Sequence, residues 1–195
     1  MPRPRGQRRE HILQAIATML EQQPGEPITT AALAAKVGVS EAALYRHFPS
    51  KGKMFEGLIE FMEESLLSRM HKIASEEADL ERRVQAMALL MLGFAEKNPG
   101  LATLLHGAGL VGETERLRTR VSQLHERLEL ALRQSLREPG PAVAGVTPGE
   151  RARLVMAVVE GRVAQFVRTR FAQTPLSNWD AAWQLLRPGL FPSVG

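Results

Sequence analysis

Residues 29–48 read TTAALAAKVGVSEAALYRHF, and this window decides the fold. A tight helix–turn–helix needs a small residue where two helices cross, a glycine four residues on, and apolar side chains facing a core. Ala34, Gly38 and the set Leu33, Val37, Val39, Leu44 and Phe48 meet those demands at the right offsets. Thr29 and Ser40 are the expected N-caps, since each hydroxyl can accept a bond from a backbone N–H that the first turn leaves unpaired. Gly38 turns the chain where a positive φ is cheapest for glycine. The second helix is expected to span seven or eight residues, opened by Ser40 and closed by Pro49.

Leu44 and Phe48 are i, i+4 partners turned inward, which leaves Glu41, Ala42, Tyr45 and Arg46 outward with His47 at the margin. Tyr45 is the chain's one tyrosine. A merely solubilising face would use Glu and Lys. A phenol, a guanidinium and an imidazole side by side suit phosphate oxygens and base edges, and Ala42 lets a backbone approach a groove wall or a thymine methyl. Lys51 and Lys53 start the next helix, whose free N–H groups already favour a phosphate. Arg3, Arg5, Arg8 and Arg9 are expected to precede the first helix as a flexible basic arm. The expected DNA-facing set is therefore Arg8, Arg9, Thr29, Thr30, Ser40, Glu41, Ala42, Tyr45, Arg46, His47, Lys51 and Lys53. The competing reading makes Tyr45 and His47 packing residues and the arginines solvated surface.

The location of charge favours the DNA reading. Residues 1–55 hold eight basic side chains against four acidic ones, which equals the whole formal charge of +4. The remaining 140 residues balance at zero. Positive charge concentrated in one segment is the footprint of a polyanion binder.

The 195 residues, 44% of them apolar, suffice for one large domain or two small ones. The absence of cysteine excludes disulfides, zinc fingers and thiol catalysis. His11, His47, His71, His106 and His125 lie too far apart for a helical metal pair, and no nucleophile-elbow, Walker or dinucleotide motif occurs. No enzyme activity, cofactor or metal is expected. The basic N-terminus has no apolar stretch of leader length, and no run reaches the ~18 apolar residues of a membrane span, so a cytoplasmic protein is expected.

Apolar periodicity predicts an all-α chain of about nine helices. The first runs from about Gln7 to Gln22, and a long one from Lys51 to about Ile73 with Met54, Phe55, Leu58, Phe61, Met62, Leu66, Met70 and Ile73 as its stripe. Others cover about Leu80 to Lys97, Pro99 to about His106, and a segment faced by Leu117, Val121, Leu124, Leu128, Leu132 and Leu136. After the linker Glu138–Gly149, Thr147-Pro148-Gly149-Glu150 forms a capping box opening a helix to about Phe171. From Leu154 to Val159 that helix is apolar all round, so it is expected to have two neighbours. With the last helix, carrying Trp179 and Trp183, it is expected to form a two-fold interface. The residues expected there are Val155, Val158, Val159, Arg162, Val163, Phe166, Trp179 and Trp183. The expected division is 1–50 for DNA and 51–195 for dimerisation and partner binding.

The first helix, the helix–turn–helix and YRHFPSK entering a long fourth helix resemble the tetracycline-repressor (TetR) family. That resemblance implies an all-helical homodimer with an N-terminal DNA-binding domain, acting on palindromic double-stranded sites. The run ITTAALAAKVGVSEAALYRHFPSK, with MFEGLIEFMEESL and LLGFAEKNPGL, is similar to the nucleoid-occlusion members of the family. These bind chromosomal sites and, while bound, antagonise the division protein FtsZ. By that resemblance the protein is nucleoid-associated, and Phe61, Arg69, Leu90, Gly93, Lys97 and Asn98 would meet the FtsZ C-terminal tail. Gly93 interrupts a helix at a cost of about 1 kcal/mol against alanine, either for close helix packing or to open a groove. The alternative function is a TetR-type repressor responding to a small effector. A scaffold without DNA would leave the basic helix–turn–helix without use.

Overall fold

A computed structural model describes residues 5–137 and 145–191, and among them all regular structure is helical. Nine α-helices follow in order: α1 (Arg5–Gln22), α2 (Thr30–Val37), α3 (Glu41–Tyr45), α4 (Lys51–Glu76), α5 (Leu80–Lys97), α6 (Pro99–Leu105), α7 (Glu115–Ser135), α8 (Pro148–Arg168) and α9 (Trp179–Leu190). A short 3-10 turn, Ala108–Leu110, stands between α6 and α7. Two compact units divide the chain. One gathers the chain up to Glu63 with Asn98–Leu124, the other Glu64–Lys97 with the chain from His125 onward. This division by packing differs from the expected functional division at residue 50.

The first unit is built on Ile12, Ile16 and Leu20 of α1, Leu33 and Val37 of α2, Leu44 and Phe48, and Met54, Phe55, Leu58, Ile59 and Met62 of α4, all buried. Each such side chain contributes about 1.5–3 kcal/mol on leaving water. Both expected caps form: Thr29 Oγ1 accepts from Ala32 N–H and Ser40 Oγ from Ala43 N–H, each at 3.2 Å. Gly38 takes φ 72°, its N–H donating to Ala35 O and that of Val39 to Ala34 O, the paired bonds of a glycine C-cap.

Several expectations need correction. Helix α3 has five residues rather than seven or eight, and the chain turns through Arg46 and His47 before Phe48. Pro49 explains this, because the residue before proline is pushed out of the helical region. Val39 is half-buried, since the turn carries it to the edge of the core. Phe61 is 51% exposed and leaves the α4 stripe; Ile59, one position off the expected pattern, is buried. Arg8 and Arg9 lie within α1 and form no arm; Arg3 lies outside the described residues.

In the second unit α8 packs with α5, burying Val155, Met156, Val159, Val163 and Phe166 with Met87, Ala88, Met91, Leu92 and Ala95. Two arginines are buried as staples. Arg151 donates to Leu136 O at 3.0 Å and Leu190 O at 2.8 Å, and burial lowers its pKa. Arg83 Nε donates to Glu77 O at 2.8 Å beyond the end of α4. The capping box is present: Glu150 N–H donates to Thr147 Oγ1, and Thr147 N–H donates to Glu150 Oε2. Of the linker Glu138–Gly149, residues 138–144 lie outside the described residues.

Helix α8 stops at Arg168, short of Phe171, because Arg170 and Phe171 take positive φ values of 50° and 67°. Phe171 N–H returns to Phe166 O at 2.8 Å, with the two rings 5.0 Å apart. The expected interface residues Val155, Val159, Val163, Phe166, Trp179 and Trp183 are already buried inside one protomer. Arg162 is also engaged internally, donating to Pro175 O and Ser177 O and lying 5.4 Å from the Trp179 ring centroid. The apolar surface that α8 keeps exposed runs through Leu154, Ala157 and Gly161, with Val158 half-buried beside it. On α9, Leu185 is 85% exposed.

Candidate nucleic-acid interface

The turn between α2 and α3 fixes what the first unit presents. With Leu44 and Phe48 buried, Glu41, Ala42, Tyr45 and Arg46 are exposed and His47 is half-buried. Tyr45 shows 43% of its surface, a large amount for an aromatic residue on a five-residue helix. Thr29 is committed to its capping bond. Thr30 reaches across instead, its Oγ1 donating to Glu41 Oε2 at 2.6 Å. That bond ties the first turn of α2 to the exposed face of α3.

Arg9 serves this face from behind. Its guanidinium stands 4.2 Å over the Phe48 ring and donates to His47 O at 3.1 Å. It therefore holds the end of the α3 segment, where carbonyls lack helical partners. Planar stacking plus a directed N–H bond is a use that arginine fits and lysine does not.

The two lysines expected to meet phosphate are anchored within the protein. Lys51 pairs with Glu113 at 2.5 Å. Lys53 pairs with Glu56 at 2.5 Å, and Arg116 reaches the other oxygen of Glu56 at 3.1 Å. Glu56 is nearly buried, and its carboxyl is held below the usual range, first by the hydrogen bond from Lys53 and then by the charge of Arg116, against the opposing effect of burial. Ser50 Oγ accepts from Lys53 N–H and caps α4. Glu113 and Arg116 could not be found from the sequence because they are far from Lys51 and Glu56 in the chain; the local signals were Ser50 three residues before Lys53 and Glu56 three residues after it.

The residues of the second expected face fall in different places. Arg69 on α4 and Lys97 on α5 are exposed, with Leu90 and Gly93 half-buried, all in the second unit. A Cβ at Gly93 would meet Leu176 at 4.0 Å, ordinary contact, so the helix tolerates more volume there than a tight crossing would. Phe61 and Asn98 belong to the first unit. Among the described residues no cluster of three metal-ligating side chains occurs, and no helix is long and apolar enough to cross a membrane.

Known proteins match both parts. Residues 12–58 match the family described as bacterial regulatory proteins, tetR family, and residues 78–190 the family described as tetracyclin repressor-like, C-terminal domain, of SlmA-like type. The nucleoid occlusion factor SlmA of Shewanella pealeana is 54% identical over 193 residues, 97% of this chain and 98% of that protein. That of Shewanella amazonensis is 53% identical over 189 residues, 95% of this chain and 96% of its own length. Among solved structures, the fatty acid degradation regulator FadR from Bacillus halodurans superposes with a TM-score of 0.83 at 15% identity, covering 97% of this chain and 98% of its own. The regulator PfmR from Thermus thermophilus gives 0.73 at 23% identity, over 91% and 94%. These two show the fold alone. The helix–turn–helix, the helical second unit and identity above one half along nearly the full length together place the chain in the tetR family of bacterial regulatory proteins and, within it, in the SlmA family of nucleoid occlusion factors.

Proposed function

We propose that the protein binds specific palindromic sites in double-stranded DNA as a homodimer and, while bound, prevents FtsZ ring assembly over the chromosome. The observation that carries this reading is the exposed face of Ala42, Tyr45 and Arg46 in a chain 54% identical to a nucleoid occlusion factor across 97% of its length. Residues 1–50 supply the DNA-reading element and the remainder supplies dimerisation and the partner surface. The protein acts in the cytoplasm, on the nucleoid.

Dimerisation uses the apolar surface left over by each protomer, Leu154, Ala157, Val158 and Gly161 of α8 with Leu185 of α9. Small residues at 157 and 161 let two copies of α8 approach closely. Two-fold symmetry then presents both α3 helices to one DNA face, in half-sites about 34–36 Å apart or one further turn. Tyr45 and Arg46 are the direct contacts, with Arg8 and His47 beside them. The lysines at 51 and 53 offer phosphate at most the donors left by Glu113 and Glu56.

The FtsZ tail meets Arg69, Leu90, Gly93 and Lys97 of the second unit. An apolar floor with basic side chains suits an acidic, partly apolar peptide. Lys97 supplies charge without the bidentate fork of an arginine. The test is binding of a labelled FtsZ C-terminal peptide to wild type and Lys97→Glu, beside light scattering of FtsZ polymers with and without the DNA site. Like-charge juxtaposition at an interface costs several kcal/mol, so Lys97→Glu loses the peptide while keeping DNA affinity. Equal binding by both proteins removes this face from the function. No binding by either, with DNA present, returns the protein to the ligand-responsive repressors.

A further inference from the structure

Glu41 poses an electrostatic problem on the proposed DNA face. It is exposed beside Ala42, Tyr45 and Arg46, yet a carboxylate there is repelled by every phosphate it approaches. Among the described residues its carboxylate is held by a neutral hydroxyl, Thr30 Oγ1 at 2.6 Å, and not by a cation. Thr30 is itself fixed, because the neighbouring Thr29 hydroxyl caps α2 through Ala32 N–H. The bond orients the carboxylate but leaves its negative charge intact and Oε1 free as an acceptor.

The major groove offers such a group few partners. Guanine presents N7 and O6 and thymine O4, all acceptors, which repel a carboxylate; the donors are the exocyclic amino groups of cytosine and adenine. Of these, cytosine N4 is the one that acidic side chains commonly read, since adenine adds its N7 acceptor beside the amino group. We infer that Glu41, oriented by Thr30, is a specificity-determining residue that accepts a hydrogen bond from the N4 amino group of a cytosine in each half-site. The inference rests on the DNA-binding reading above and extends it. The same charge lowers affinity for sequences that present acceptors at that position, so Glu41 also suppresses non-specific binding.

This dual role separates specificity from simple structural support. If Glu41 only braced α3 against α2, its loss would weaken all DNA binding alike. As a base reader under phosphate repulsion, its neutralisation acts with opposite signs on cognate and unrelated DNA.

The experiment measures binding of the full chain to duplexes in which each half-site position carries each of the four base pairs, and to an unrelated duplex of equal length. Wild type prefers cytosine at one position per half-site by about tenfold or more. Glu41→Ala, which removes both the acceptor and the charge, levels that preference and binds the unrelated duplex more tightly than wild type does. Thr30→Val weakens the preference because the carboxylate loses its orientation, and Thr30→Ser, which restores the donor, retains it. An unchanged cytosine preference in Glu41→Ala overturns the inference. So does equal weakening on all duplexes with no recovery in Thr30→Ser. Wild type that discriminates among no duplexes overturns the DNA-binding reading itself, a result distinct from either.

Discussion

Gly100 of α6 lies against Ala17 of α1 so closely that a Cβ on Gly100 would stand 1.9 Å from the Ala17 carbonyl oxygen. The obstacle is backbone, so no rotamer change relieves it. Overpacking a core costs about 1–3 kcal/mol when side chains can yield; here Gly100→Ala is expected at or above the upper end. For a chain of this size that lowers the melting temperature by roughly 6–12 °C. Gly93→Ala is the control: its Cβ meets Leu176 at an ordinary 4.0 Å, and the helix gains up to about 1 kcal/mol. Thermal melts of the two variants falling together would contradict this.

Arg9 should separate positioning from phosphate contact. Each phosphate neutralised contributes about 0.9 to the slope of log K against log salt. Because Arg9 stacks on Phe48 and holds His47 O, Arg9→Lys keeps its charge but releases the end of the α3 segment. Affinity for the cognate site should fall about tenfold, the value of one directed bond to a charged donor, with the salt slope unchanged. Arg8→Ala, on the exposed or half-exposed part of α1, should instead flatten the slope. A titration series over salt distinguishes the two.

Glu56 should leave a mark on acid stability. Its folded pKa lies below the ordinary 4.5, because Lys53 and Arg116 favour the carboxylate. A lowered pKa contributes stability that is fully present above the unfolded value and is lost as pH falls through the folded one. Glu56→Gln should therefore be less stable than wild type at pH 7, with the gap closing as pH drops below 4.5. Urea midpoints at neutral and acid pH give the comparison; a constant gap would assign the role of Glu56 to packing.

Dimerisation can be tested by position rather than by charge alone. Leu154→Glu or Leu185→Glu, at 44% and 85% exposure, should yield a folded monomer in sedimentation that has lost palindrome binding. Val155→Glu, on a side chain 1% exposed, should unfold the second unit. A folded Val155→Glu monomer would show that the interface reaches the residues now placed in the core.

Local signals were legible because their physics is local. The caps Thr29, Ser40 and Thr147, the positive φ of Gly38, the inward pair Leu44 and Phe48, and the outward set from Glu41 to Arg46 depend on neighbours within four residues. Hydrophobic periodicity likewise placed α5 from Leu80 to Lys97, since the stripe that a helix buries is written in its own 3.6-residue repeat.

The helical fold, the helix–turn–helix and the face it turns outward therefore follow from residue order alone. Tertiary structure decided which apolar residues were left over and which charges were free. Val155, Val163 and Trp183 read the same as Leu154 until packing buries the first three and spares the last. Lys51 and Arg9 read as open cations until Glu113 and Phe48 arrive from distant segments. Residue type fixes what a side chain can do, but the partner that it meets is set by chain elements far away in sequence, and no local pattern encodes that meeting.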